Sequence, residues 1–283
     1  MIDTHCHVHF TDYGENRADV IGRTQKKGVE MITIGTQTST SLEAIQTAEQ
    51  YEGVWCTVGL HPSHTHPYTL HADQNEVTDT HVELFDKDDY RKLVERSNKV
   101  VAIGEVGLDY YRLPTEAEDV ADVKLKQKTE LWKAIELATE VNLPLVLHVR
   151  DAHTDMVSII EAAQTRGMMS RGAVIHCFTG TTEEARVYHR LGILTSFTGI
   201  ITFGDKKHPE KLTPLMKTVQ DLPLEMMMIE TDAPYLAPEP HRGKQNEPWM
   251  VQYVAEKIAA LKGITTEEVD RVTTKTAQHF FGL

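Results

Sequence analysis

What most constrains this chain is an alternation, repeated eight times, of a short apolar run with a stretch of helical period. An opening extended segment ends in Asp3-Thr4-His5-Cys6-His7, and strands are expected over residues 29–35, 54–60, 100–105, 144–149, 172–177, 193–198 and 224–232. Helices are expected over 15–27, 39–51, 87–97, 123–141, 151–167, 181–191 and 211–220, and two more, near 248–261 and 266–281, close the chain. Residues 144–147 run without polar alternation until His148, as parallel strands covered by helices do. The length of 283 residues is close to the roughly 250 usual for a barrel of eight such units, and no composition shift marks a second domain. The expected architecture is therefore α/β, with residues 1–283 forming a single (β/α)8 TIM barrel with a C-terminal helical extension. A doubly wound open sheet is the alternative, but it would normally place a Gly-rich phosphate loop after the first strand, where this chain has histidines. Two polar stretches without a convincing period, 65–86 and 114–122, are expected to be irregular.

Charge and composition narrow the function classes. With 29 basic and 42 acidic residues the formal net charge is -13, which argues against broad adhesion to nucleic acid or anionic membrane. A nucleic-acid substrate stays open, because carboxylates that hold cations count as negative in this sum. The short basic stretches Lys206-Lys207 and Arg242-x-Lys244 read as solvated loops. No run approaches the roughly 18 apolar residues of a spanning helix, and no basic, apolar leader is visible, so the cytoplasm is the expected address and no membrane partner is expected. Cys6, Cys56 and Cys177 are odd in number and far apart, and read as reduced thiols.

The chemistry lies at the strand ends. His5 and His7, two residues apart in an extended segment, project to one side and make half a metal site. In a barrel the C-terminal strand ends converge. That would gather His5, His7, His61, His64, Glu105, His148, His176 and Asp232. Buried imidazoles and carboxylates are costly unless paired or metal-bound, so their convergence favours metal. Two divalent ions are expected, bridged by Glu105, one with His5 and His7 and the other with His148 and His176. Asp232 is placed to orient a water and take its proton, and the chemistry expected is metal-assisted hydrolysis. Imidazole-rich ligands suit zinc, manganese or iron better than magnesium.

Several motifs carry a family resemblance: His5-x-His7, Gly59-Leu60-His61-Pro62, Gly104-Glu105-x-Gly107-Leu108-Asp109-Tyr110, His148-x-Arg150-Asp151-Ala152 and His176-Cys177-Phe178-Thr179-Gly180. Glu230-Thr231-Asp232-Ala233-Pro234-Tyr235 and Pro240-His241-Arg242-Gly243-Lys244-x-Asn246-Glu247-Pro248 extend it to the C-terminal part. The chain resembles the TatD family of metal-dependent deoxyribonucleases along its whole length. The resemblance implies a metal-dependent hydrolase barrel, a DNA substrate with single strands favoured and RNA possible, and 3′ to 5′ exonuclease action. It carries the metal roles onto His5, His7, Glu105, His148, His176 and Asp232, and it implies magnesium activation as a further possibility beside zinc and manganese. Arg150, Arg242 and Asn246 match motif positions on the substrate side, and guanidinium forks suit phosphate. His61 and His64 join that substrate set. His9 stands where the family usually has an acid, Ser63 where it has a second His, and Thr276 where it has an Asn. Hydrolysis of a carbonyl or ester bond on the same site, as by an aminoacyl-tRNA deacylase or amidohydrolase, is the alternative chemistry.

Overall fold

In the computed structural model, which describes residues 1–67, 69, 81–204, 208 and 211–283, eight strands follow one another in a single sheet. They are β1 (Ile2–Cys6), β2 (Glu30–Ile34), β3 (Val54–Val58), β4 (Val100–Asp109), β5 (Leu145–Arg150), β6 (Ala173–Ile175), β7 (Leu194–Phe197) and β8 (Met227–Ile229), adjacent in that order. The helices between and after them are α1 (Arg17–Lys26), α2 (Thr38–Gln50), α3 (Lys87–Arg96), α4 (Ala117–Glu140), α5 (His153–Thr165), α6 (Thr182–Arg190), α7 (Pro214–Asp221), α8 (Val251–Lys262) and α9 (Thr266–Phe281). The fold is the α/β TIM barrel expected from the alternation. No helix among the described residues is long and apolar enough to cross a membrane. The Lys206-Lys207 pair and most of the 65–86 stretch lie outside the described residues.

The chain divides into two compact units. The first comprises Met1–Val8, Tyr13–Ile32 and Val174–Leu283. Here β1 and the segment after β8 are joined by main-chain bonds, from His7 N–H to the Ala233 carbonyl at 2.7 Å and from Asp232 N–H to the His5 carbonyl at 2.8 Å. Strands β6, β7 and β8 pair in parallel, with Thr195 opposite Met227 and Phe197 opposite Ile229. Strand β8 is shorter than the expected 224–232. Residues Leu224–Met226 form a 3-10 turn after Pro223, and Asp232, in the left-handed region at φ 57°, turns the chain away from strand geometry. Met227 and Met228 are wholly buried and fill the core. Helices α8 and α9 bury Val254, Ile258, Val269 and Phe281. Each such side chain contributes about 1.5–3 kcal/mol when fully removed from water.

The second unit comprises His9–Asp12 and Thr33–Ala173. Strand β4 continues to Asp109, four residues past the expected end, and pairs with β5 so that Gly107 lies opposite His148 and Asp109 opposite Arg150. The continuation depends on Gly107, whose φ of +155° and close approach to the His148 carbonyl leave no room for a side chain. Helix α2 begins at Thr38, one residue before the expected 39, with Gln37 as its cap and Thr40 returning the bond. Helix α4 starts at Ala117, six residues before the expected 123, so it takes in most of the stretch expected to be irregular. Glu118 and Asp119 in its first turn favour that start by offsetting the positive end of the helix dipole.

Candidate metal centre

In the first unit the extended backbone of β1 aims His5 and His7 to one side. The turn after β8 brings Asp232 to them, with its Oδ1 3.4 Å from His7 Nε2 and 3.7 Å from His5 Nε2. One ligand atom from each of these three residues lies within 4.8 Å of the others. His176, just beyond β6, stacks on His5 with ring centroids 3.9 Å apart and planes 14° from parallel. Burial acts to raise the Asp232 pKa, but the His7 hydrogen bond and the nearby His5 and His176 rings outweigh it. The carboxyl is thus held below the usual carboxylate range and is ionised at neutral pH.

Three buried groups fix this geometry. Asp3 accepts the Thr231 N–H at 2.8 Å and the His5 N–H at 3.3 Å on one oxygen, and the Thr231 hydroxyl on the other, so it ties the histidine strand to the residue before Asp232. Burial pushes the Asp3 carboxyl well above the usual range. Asn246, wholly buried, donates to the Thr231 carbonyl at 3.0 Å and the Tyr235 carbonyl at 2.6 Å, on either side of Asp232. Its Oδ1 accepts the Glu247 N–H at 3.0 Å. The Asn246 amide thus braces the Asp232 loop. Glu230 lies with Oε1 3.7 Å from His176 Nδ1 and accepts the Cys177 N–H.

In the second unit, His61, Glu105 and His148 form a second group whose ligand atoms lie within 4.8 Å of one another. His148 Nδ1 is 2.8 Å from Glu105 Oε1, and its Nε2 is 3.1 Å from Asp109 Oδ2. Burial would lower the His148 pKa, yet its two carboxylate partners carry it up to about 9. Burial would likewise raise Asp109, but the His148 hydrogen bond and charge hold it down to about 2. His61 Nδ1 accepts the Ser63 N–H at 3.2 Å, which leaves the ring proton on Nε2, 3.5 Å from Glu105 Oε1. His61 therefore offers a hydrogen-bond donor beside Glu105.

The remaining expected residues divide between surface and interior. Arg150 is exposed, with its guanidinium carbon 3.6 Å from the centre of the Tyr111 ring, itself 53% exposed. Arg242 is also exposed, 4.2 Å from the Phe203 ring and 3.9 Å from Glu239. His64 is buried, its ring 6.2 Å from that of His61. His9 is buried, with Nδ1 2.7 Å from the Thr33 hydroxyl, and Thr276 donates to the Glu225 carbonyl at 3.3 Å. Two acidic residues at these groups, Asp109 and Glu230, were not singled out from sequence. Each shares a motif with an expected ligand, Asp109 four residues after Glu105 and Glu230 two before Asp232, and that is the signal the sequence offers. Imidazoles and carboxylates at ligand spacing form a donor set that fits divalent transition metals.

A model of the family described as TatD related DNase matches residues 2–282. The chain is 35% identical over 282 residues to the uncharacterized metal-dependent hydrolase YabD of Bacillus subtilis, covering 99% of this chain and 98% of that one. It is 33% identical over 285 residues to the uncharacterized metal-dependent hydrolase YcfH of Escherichia coli K12, covering 99% and 95%. Among solved structures, the TatD homolog YJJV of Escherichia coli matches with a TM-score of 0.81 at 24% identity, covering 100% of this chain and 98% of that one. That last likeness bears on the fold alone.

Proposed function

We propose, from the premise that this chain belongs to the TatD family of metal-dependent hydrolases, that it is a deoxyribonuclease shortening single-stranded DNA from a 3′ end. The observation that carries the nucleic-acid reading is the Arg150–Tyr111 pair. Arg150 lies two residues along β5 from His148, and Tyr111 two residues beyond Asp109, so a fixed cation and an exposed ring adjoin the second group. A guanidinium fork matches phosphate, and an exposed ring offers a stacking face that every base can use. An exposed Tyr–Arg pair has no comparable use for a small ester.

A divalent ion held at either group would polarise a phosphoryl oxygen and lower the pKa of a bound water. The chain's own residues supply the rest. The ionised Asp232 carboxylate, fixed by Asp3 and Asn246, is the proton acceptor for that water. In the second unit, the Nε2–H of His61 offers a hydrogen bond to a phosphate oxygen held beside Glu105. Arg150 beside the second group offers positive charge to phosphate, and Arg242, in the first unit, is a second guanidinium suited to phosphate.

The test is turnover of end-labelled single-stranded DNA by metal-stripped enzyme resupplied separately with zinc, manganese or magnesium, beside a panel of amides, esters and aminoacyl-tRNA. Metal-dependent shortening from the 3′ end is the expected result. Intact DNA under every bound metal, with turnover of an ester or amide, would move the activity to carbonyl substrates. Replacing Tyr111 by Ala is expected to raise the KM for single-stranded DNA about tenfold, the scale of one lost base stack. The same change should matter far less for a base-free aryl phosphodiester, and steady-state kinetics on the two substrates checks it.

A further inference from the structure

Both ring nitrogens of His148 face carboxylates, but the two carboxylates differ in kind. Glu105, at Nδ1, belongs to a group of residues spaced to hold an ion. Asp109, at Nε2, belongs to no such group among the described residues and is held from outside it. Its Oδ1 accepts the Tyr111 N–H at 2.9 Å. Its main chain is gripped on both sides by the buried Gln127 of α4, which accepts the Asp109 N–H at 2.9 Å and donates to the Asp109 carbonyl at 3.1 Å. A buried glutamine spent on one aspartate's backbone, and that aspartate aimed at one imidazole nitrogen, make a chain of supports running Gln127, Asp109, His148.

From this geometry we infer that Asp109 is a positioning residue: it accepts the Nε2–H of His148, fixing the tautomer that presents Nδ1 to a divalent ion shared with Glu105. A metal-ligating histidine usually donates its other N–H to a carboxylate or carbonyl, which orients the ring and raises its basicity. Here the tautomer matters more than usual, because an Nε2 lone pair would point at Asp109 and away from Glu105. Gly107 has the same purpose in the backbone, since it lies opposite His148 and lets β4 come close enough for residues on both sides of it to reach the ring. The inference rests on the metal reading of this group and is independent of which bond the enzyme cleaves.

Two readouts test it without any substrate. Zinc affinity is measured by competition with a chromophoric chelator, and the protonated nitrogen of His148 is identified by long-range ¹H–¹⁵N correlation in the zinc-loaded protein. Wild type is expected to show His148 protonated at Nε2 and coordinated through Nδ1. Asp109→Ala is expected to lose about 10- to 100-fold in affinity at the weakened site, the usual cost of removing such a partner. Asp109→Asn, which keeps an oxygen acceptor and the side-chain shape, should lose less and retain the Nε2–H tautomer. It also keeps the test decisive if the alanine variant does not fold. The inference is overturned if His148 coordinates through Nε2, or if folded Asp109→Ala binds both zinc ions as tightly as wild type. It is equally overturned if Asp109→Asn loses as much as Asp109→Ala, the mark of a direct ligand.

Discussion

Asp232→Asn is expected to fold normally and to turn over substrate at least about a thousandfold more slowly, within the range that a positioned general base contributes. The fold should survive because the bonds that shape this turn are made by the main chain, from Asp232 N–H to the His5 carbonyl and from Tyr235 N–H to the Asp232 carbonyl. Asn also tolerates the left-handed conformation at φ 57° better than any other side chain of this shape. What the substitution removes is an anion beside two imidazoles, 3.4 Å from His7 and 3.7 Å from His5. An amide is a far weaker proton acceptor and a poorer ligand. Both proposed roles of Asp232 therefore fail together, and the loss should fall mainly on kcat. Single-turnover kinetics under saturating metal, with metal content measured on the same sample, is the check. Full turnover in a folded Asp232→Asn would remove Asp232 from the chemistry and leave the attacking water without an assigned base.

The sequence was most legible where one physical rule acted without competition. Apolar strands between amphipathic helices led to the barrel, because burial on both faces admits few other arrangements. The 16-residue α9 lies where it was expected, near 266–281, and in the structure Thr265 caps it and Gly282 ends it in the left-handed region. Boundaries slipped where tertiary contacts override local propensity. The strand expected to end at residue 105 runs on through Gly107 to Asp109, because a missing side chain permits close approach as readily as it permits a turn. The site was legible as a list of ligand types at strand ends, but not as a set of supports. Nothing in the spacing of Asp109 from His148 announces a shared hydrogen bond. Nor does Asn246, read from sequence as facing substrate, reveal that its amide is committed to the carbonyls around Asp232.

Gly107→Ala should be the most damaging single-methyl addition in the second unit. An ideal Cβ there would lie 2.0 Å from the His148 carbonyl oxygen and 2.9 Å from both its carbonyl carbon and its nitrogen, and all of these are main-chain atoms of a paired strand. A flexible side chain could swing aside, but β5 cannot move without parting from β4, whose neighbour spacing is fixed near 4.8 Å by the ladder. The φ of +155° adds strain for any residue with a Cβ. A cost of about 3 kcal/mol is expected, which for a chain of this size lowers Tm by roughly 6–12 °C. Metal affinity at the Glu105–His148 group should fall with it, because the displaced atoms belong to His148. Gly22→Ala provides the opposite case. Gly22 lies inside α1 with no heavy atom within 4 Å of an ideal Cβ. The same methyl there should stabilise by about 0.5–1 kcal/mol through helix propensity. Thermal unfolding of the two variants in metal-free buffer, followed by zinc titration, separates the effects. If Gly107→Ala melts and binds zinc as wild type does, the close approach of β4 to β5 is not what sets His148 between its two carboxylates.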